Sequence, residues 1–246
     1  MPGMEKKYAI LGDVHANIDA LDAVLTDARG QGVTDYVCVG DVVGYGAAPG
    51  ECLDRIRALN GVTVRGNHDH YCVYPASMDD VQEAAGNVIE WTRRRLSEDQ
   101  LQWLHDLPLQ ANVGGVFMTV HSTLDMPDRW GYVFGELDAE ASLANQKVIL
   151  CFHGHTHVPV IFEKQKDVVR LAPATIALQL GRKYFINTGS VGQPRDRDAR
   201  ASYCTYTPKD RTVAFRRVAY PIETAQKRIR EAGLPDYLAQ RLAFGQ

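Results

Sequence analysis

Eight residues in five short segments carry the chemistry open to this chain. The segments are Asp13-Val14-His15, Gly40-Asp41, Gly66-Asn67-His68-Asp69, His121-Ser122 and Gly154-His155-Thr156-His157, and they hold five of the eight histidines. Carboxylate and amide oxygens together with imidazole nitrogens suit hard-to-borderline divalent metals. Asp13, His15, Asp41, Asn67, His121, His155 and His157 could supply seven ligands, enough for two ions side by side. Two metals in one site point to phosphoryl chemistry.

Each segment alone has a plainer reading. Asp-x-His is usually a turn or a helix cap, and Gly-Asn-His-Asp a turn; His-x-His is a stronger metal signal. Their joint occurrence after apparent strands argues for one site. A donor set of His, Asp and Asn without Cys fits Mn²⁺, Fe, Co²⁺, Ni²⁺ or Zn²⁺, and geometry alone does not choose among them. A carboxylate such as Asp41 has two oxygens and could bridge two ions. His105 reads as an inert residue of a surface helix. His70 and His153 border the motifs and are assigned supporting or structural roles.

The elements that must position these residues alternate at first. Tyr8–Leu11 reads as a buried strand, followed by a helix capped by Asn17 with Ile18, Leu21, Val24, Leu25 and Ala28 on its apolar face. Strands at 36–39 and 62–64 and a helix at 51–59 complete a βαβαβ order, which implies parallel strands. In open α/β sheets a site lies beyond the carboxyl ends of such strands. With extended backbone, residues two apart face one side, so Asp13 and His15, and likewise His155 and His157, are expected to aim together.

Helices are expected at 80–96, with Val81, Ala84, Ala85, Val88, Ile89 and Trp91 apolar, after a Ser97–Gln100 capping box, and at 139–146. Strands are expected at 116–120 and 148–152, each ending near a candidate ligand. The remainder reads as short strands at 158–162, 168–171, 176–178, 184–186, 202–207 and 212–218, then helices at 221–232 and 237–243. The fold class is α/β. Two mixed sheets flanked by helices form one domain over 1–246, with a helical cap inserted at 71–107 and a C-terminal helical segment at 221–246. In that insertion Tyr71, Tyr74 and Asn87 could line a pocket, though packing is the preferred role. Lys227, Arg228 and Arg230 are read as a solvated face.

Composition narrows the class. The 246 residues carry 27 basic and 30 acidic side chains, a net charge of −3, which argues against a nucleic-acid backbone as partner. Five widely spaced cysteines without a CxxC pair read as small buried hydrophobes in a reducing compartment. No secretory signal or long apolar run is evident, so no membrane partner and a cytoplasmic location are expected.

The five segments together resemble the pattern of the calcineurin-like metallophosphoesterase superfamily, D-x-H, GD, GNH-[DE], H and GHxH, over residues 8–192. The resemblance implies a four-layer αββα sandwich around a binuclear metal centre. Carried over by position, Asp13, His15 and His157 hold one ion, Asn67, His121 and His155 the other, and Asp41 bridges them. His68 stands where the family places a histidine near the phosphate and leaving group. The implied reaction is in-line attack by a hydroxide shared between the ions on a small phosphoester.

Departures from the family refine this. Its protein phosphatases and diadenosine tetraphosphatases carry GD-x-x-DRG; here Gly44 replaces the histidine-orienting aspartate and Tyr45 the phosphate-gripping arginine. Both activities become less favoured. Arg65 and Asp69 are weak candidates to assist His68. Asn187-Thr188-Gly189-Ser190 is similar to the NPGS loop of small bacterial phosphodiesterases in the superfamily, so a diester is slightly preferred to a monoester. Arg195 has two open readings, a salt bridge with Asp196 or a substrate contact. A non-catalytic scaffold and a nuclease are the other classes weighed; the persistence of all seven ligands and His68 favours an enzyme.

Overall fold

β1 (Tyr8–Leu11) is four buried residues in a row, the mark of a strand covered on both faces. The computed structural model describes residues 5–74 and 83–246. After β1 the Asn17 side chain accepts the Ala20 N–H and starts α1 (Ile18–Gly30), which buries Ala20, Leu21, Val24, Leu25 and Ala28. β2 (Asp35–Cys38), α2 (Pro49–Ala58) and β3 (Val62–Thr63) follow. β1, β2 and β3 pair in parallel, as their helical crossovers require.

Three helices come next, α3 (Asn67–Val73), α4 (Glu83–Arg93) and α5 (Glu98–Asp106), the last opened by the reciprocal Ser97–Gln100 capping box. The expectations for Asp80 and Val81, and for the side chains of Ala84 and Ala85, lie outside the described residues. β4 (Gln110–Val113), β5 (Phe117–Val120), α6 (Glu136–Asn145) and β6 (Leu150–His153) lead to β7 (Val160–Lys164), β8 (Val168–Leu171), β9 (Ile176–Ala177), β10 (Lys183–Asn187), β11 (Ala201–Thr207) and β12 (Thr212–Val218). α7 (Ile222–Glu231) and α8 (Asp236–Leu242) close the chain.

The strands form two mixed six-stranded sheets, ordered β3-β2-β1-β11-β12-β9 and β4-β5-β6-β10-β7-β8. The period-2 alternation of β1 shows how they stack. Tyr8 and Ile10 face the second sheet, in a cluster with Phe117, Leu150, Phe152, Tyr184 and Tyr206. Phe117 is the hub, with Tyr8, Phe152 and Tyr206 edge-on at 5.1, 5.4 and 5.7 Å. Ala9 and Leu11 point the other way, into a layer built from α1, α2, α4, α5, α7 and α8. On the outer face of the second sheet α6 places Ala139 and Leu143 against Met118, Cys151, Phe162 and Phe185. The result is helix, sheet, sheet, helix, an α/β fold of four layers.

The described part of 71–107 packs into the first helical layer: Cys72, Val88, Ile89, Leu96 and Leu104 are buried there and Tyr71 packs beside them, while Asn87 is exposed. All five cysteines are buried free thiols. In the C-terminal segment Ala225 and Ile229 are buried, whereas Lys227, Arg228 and Arg230 pair at the surface with Glu231, Asp19 and Asp236. No described helix is long and apolar enough to cross a membrane.

Candidate metal centre

The five segments meet where β1, β2 and β3 of one sheet and β5 and β6 of the other end. The meeting is not made by extended backbone. Asp13, His15, Asp41, His155 and His157 have φ of 51°, 46°, 52°, 69° and 60°, in the left-handed region that residues with a side chain rarely enter. Each chain therefore turns sharply after its strand, and these turns aim the ligand atoms. The alternating-strand explanation of the two His/Asp pairs is thereby corrected. Close backbone approach is part of the same geometry: a Cβ on Gly66 would lie 2.1 Å from Asp41 Oδ1.

Two clusters result. In one, His15 Nε2 is 3.0 Å from His157 Nε2, and His157 Nε2 is 3.3 Å from Asp13 Oδ1. In the other, His121 Nε2 lies 3.1 Å from Asn67 Oδ1 and 3.2 Å from His155 Nδ1. Asp41 Oδ2 stands between them, 3.5 Å from His15 Nε2 and 3.4 Å from His121 Nε2. All seven residues thus gather, and six are buried, with Asn67 half-buried.

The outward ring nitrogens decide what the inward ones can do. His15 Nδ1 donates to Val43 O at 3.0 Å, His121 Nδ1 to Val39 O at 2.9 Å, His157 Nδ1 to Gln193 O at 2.6 Å and His155 Nε2 to Trp130 O at 2.9 Å. A carbonyl only accepts, so each of these nitrogens carries the proton. His121, the basic member, faces His155 at 3.2 Å, and in the neutral His15–His157 pair the inward nitrogens are bare lone pairs facing one another at 3.0 Å. Such pairs repel unless a cation lies between them. The spacing matches neighbouring ligands of one ion, about 3.0 Å apart in an octahedron with bonds of about 2.1 Å. Backbone carbonyls behind metal-binding histidines serve this orienting purpose. The donor set and its geometry fit divalent metal.

Electrostatics agree. Burial drives His155 down to about 3 and His15 and His157 well below their ordinary value, so these rings are neutral. Burial raises Asp13 to about 7. Burial alone would raise Asp41 too, but His121, His68 and His15 hold it well below the usual carboxylate range. Against its own burial, His121 is raised to about 9 by Asp41. Positive charge beside Asp41 is strongly favoured, whether proton or metal.

His68 stands against the first cluster. Its ring centre is 4.9 Å from that of His15 and 4.3 Å from that of Tyr45. Burial lowers it to about 4, and its Nδ1 is buried with no hydrogen-bond partner among the described residues. Asp69 does not serve it. The Asp69 carboxylate accepts the N–H groups of Val42, Val43 and Gly66 at 2.9, 3.2 and 3.0 Å, tying the two ligand turns together. Arg65 points away to His105 O at 2.8 Å and stacks near Tyr74.

Other residues fall into place. His153 stacks flat on Phe185 at 3.9 Å, a packing role. His70 stacks on Tyr74 at 4.6 Å and lies 5.4 Å from Trp130. His105 is at the surface beside Asp106. The Asn187–Ser190 loop is a brace: Asn187 Nδ2 donates to Gly154 O at 2.5 Å, and Ser190 Oγ to Asp13 O at 2.7 Å. Asp196 pairs with Arg217, which removes the Arg195–Asp196 reading. Trp130 and Tyr132 were not foreseen. One gives its carbonyl to His155, and the other stacks on the His155 ring at 4.2 Å with Phe134 parallel beyond it. Their loop carries no motif to signal this.

A family model described as the calcineurin-like phosphoesterase superfamily domain matches residues 7–211. The chain belongs to this superfamily. Among curated proteins, an uncharacterised protein of Methanocaldococcus jannaschii is 36% identical over 246 residues, covering 99% of this chain and 100% of that one. A metallophosphoesterase from Sphaerobacter thermophilus has 37% identity and a TM-score of 0.86, covering 98% of this chain and all of that chain. A hypothetical protein from Pyrococcus horikoshii shares the fold at 19% identity, with a TM-score of 0.80 over 98% of both chains. This calcineurin-like chain is thus similar to phosphoesterases along almost its whole length, and divalent metal binding is typical of its superfamily.

Proposed function

We propose that this protein is a metal-dependent hydrolase of a small phosphoester, with a diester preferred to a monoester. The observation that carries the reading is the set of four histidines whose outward nitrogens are fixed by carbonyls and whose inward nitrogens converge at 3.0 and 3.2 Å. Asp13, His15 and His157 would hold one ion, Asn67, His121 and His155 the second, and Asp41 both, with Mn²⁺ the leading candidate. Bound ions would supply Lewis acidity, lowering the pKa of water and offsetting phosphoryl charge.

The protein's own groups do the rest. The ligand turns are immobilised by backbone hydrogen bonds, so little reorganises during reaction. His68, neutral and pressed against His15 and Tyr45, is placed to donate a ring N–H to the phosphoryl group or leaving oxygen. Tyr45 in place of an arginine favours a diester, and the exposed Tyr132 and Phe134 beside His155 give its second ester group an apolar surface. The acidic balance favours a small substrate over a nucleic acid, and five buried free thiols suit the cytoplasm.

Hydrolysis of bis-p-nitrophenyl phosphate with Mn²⁺ tests the reading, with p-nitrophenyl phosphate as the monoester comparison. Turnover abolished by chelation is expected. Absence of turnover with every metal, alongside tight binding of a protein partner, would establish a scaffold instead. His68→Ala should keep its metal and lose about 100-fold or more in rate; a wild-type rate would remove the assigned role.

A further inference from the structure

Beyond the candidate ligands and His68, a charged group lies beside the centre with no ion-pair partner among the described residues. Arg195 lies in the loop after β10, and its backbone N–H donates to His157 O at 3.3 Å. Its Nη2 donates to Gln193 Oε1 at 2.9 Å, and the carbonyl of that same Gln193 accepts His157 Nδ1. The guanidinium carbon is 5.7 Å from the centre of the Tyr45 ring. That ring is in turn 4.6 Å from His15 and 4.3 Å from His68. One aromatic ring therefore neighbours the guanidinium, a metal-ligand candidate and His68 alike, and the backbone holding the guanidinium is hydrogen-bonded to a second ligand candidate.

The charge is poorly satisfied. Arg195 Nε is buried and has no hydrogen-bond partner among the described residues. The adjacent carboxylate, Asp196, is engaged by Arg217. Arg241 of α8 adds a like charge: burial lowers its pKa, and Arg195 lowers it further. A partly buried cation beside a second cation is costly until an anion joins it. A guanidinium fork matches two oxygens on one phosphorus.

We infer that Arg195 is a substrate-binding residue whose guanidinium takes the non-bridging oxygens of the phosphoryl group, with Tyr45 holding it on the His15 and His68 side of the centre. This rests on the phosphoester reading. The anion is a phosphoryl group because the site beside it gathers metal ligands, and its loop is the one that braces the Asp13 turn.

Calorimetric titration of inorganic phosphate into Mn²⁺-loaded wild type and Arg195→Ala tests the inference, with metal content measured on both. Phosphate affinity should fall about tenfold or more in the variant, and kcat/KM for bis-p-nitrophenyl phosphate about 100-fold, at unchanged metal content. Arg195→Lys should recover only part, because a point charge cannot grip two oxygens. Arg195→Gln, which keeps a donor for Gln193, decides the question where Arg195→Ala does not fold. Wild-type phosphate affinity in these neutral variants overturns the inference, as does a wild type that binds no phosphate. A wild type that binds metal and phosphate but hydrolyses no phosphoester would end the phosphoester reading alone, since the phosphate titration still decides the role of Arg195.

Discussion

A side chain at position 44 would have to share space with His68. A Cβ there would lie 2.5 Å from His68 Nδ1, and Gly44 has φ of +90°, which strains any other residue. The aspartate that other branches carry at this position is therefore excluded by how closely the His68 ring lies on the turn. His68 is held by contact with Tyr45 and His15 in place of a carboxylate. Gly44→Ala should destabilise the fold by about 1–3 kcal/mol and cost more activity than stability, because the ring must move. Urea unfolding together with the rate measures both; a variant with native stability and rate would show that the turn and ring have slack. Residue types alone picked out the candidate ligands. They did not reveal the left-handed φ at Asp13, His15, His155 and His157, because Asp and His enter that region more often than most residues but still rarely, so their type alone does not announce it.

At the scale of elements, strands and helices with strong periodicity were legible, and those with weak patterns were not. α1, with its Asn17 cap and apolar face, and α5, with its capping box, follow from local chemistry. β4 was missed because Gln110 and Asn112 are exposed polar residues on an edge strand, held there by pairing with β5. α3 was missed because Gly-Asn-His-Asp reads as a turn, whereas Asp69 caps it by accepting the Gly66 N–H at 3.0 Å. The Asn187–Ser190 stretch was legible only as a likeness to a phosphodiesterase loop, whereas Asn187 and Ser190 brace the candidate-ligand turns, which only tertiary hydrogen bonds reveal.

Asp27 shows how elements are tied. It joins α1 to β11 through the Tyr203 hydroxyl at 2.6 Å and to β12 through Arg216 at 3.2 Å. Burial alone would raise its carboxyl, but Tyr203 and Arg216 hold it below its ordinary value. A depressed carboxyl stabilises the fold fully above the unfolded pKa of about 3.9 and loses that contribution as pH falls through the folded value. Asp27→Asn should therefore cost about 1 kcal/mol near pH 6 and progressively less below pH ~4. Urea midpoints across that range check it, and a gap that widens in acid would reverse the assigned sign.

Across the whole molecule, the centre is where two sheets meet. Candidate ligands from the first sheet's parallel strands face candidate ligands from β5 and β6 of the second, and His15 and His157 meet across 142 residues of chain. His121 Nδ1 bonding Val39 O, and the His155 N–H bonding Asp13, cross the same boundary. Metal binding would then draw its energy from, and lend it to, the docking of the two halves. The four-layer arrangement was legible because the motif set is shared across the superfamily. The apolar and aromatic rim of Trp130, Tyr132 and Phe134 was not, because it lies in a loop.

The most direct test is elemental analysis of divalent metal in wild type and Asp41→Asn. The wild type should hold two ions per chain, and the variant fewer, since Asp41 alone faces both clusters. A wild type that takes up no divalent metal, or a variant that keeps two ions at wild-type affinity, would contradict the account.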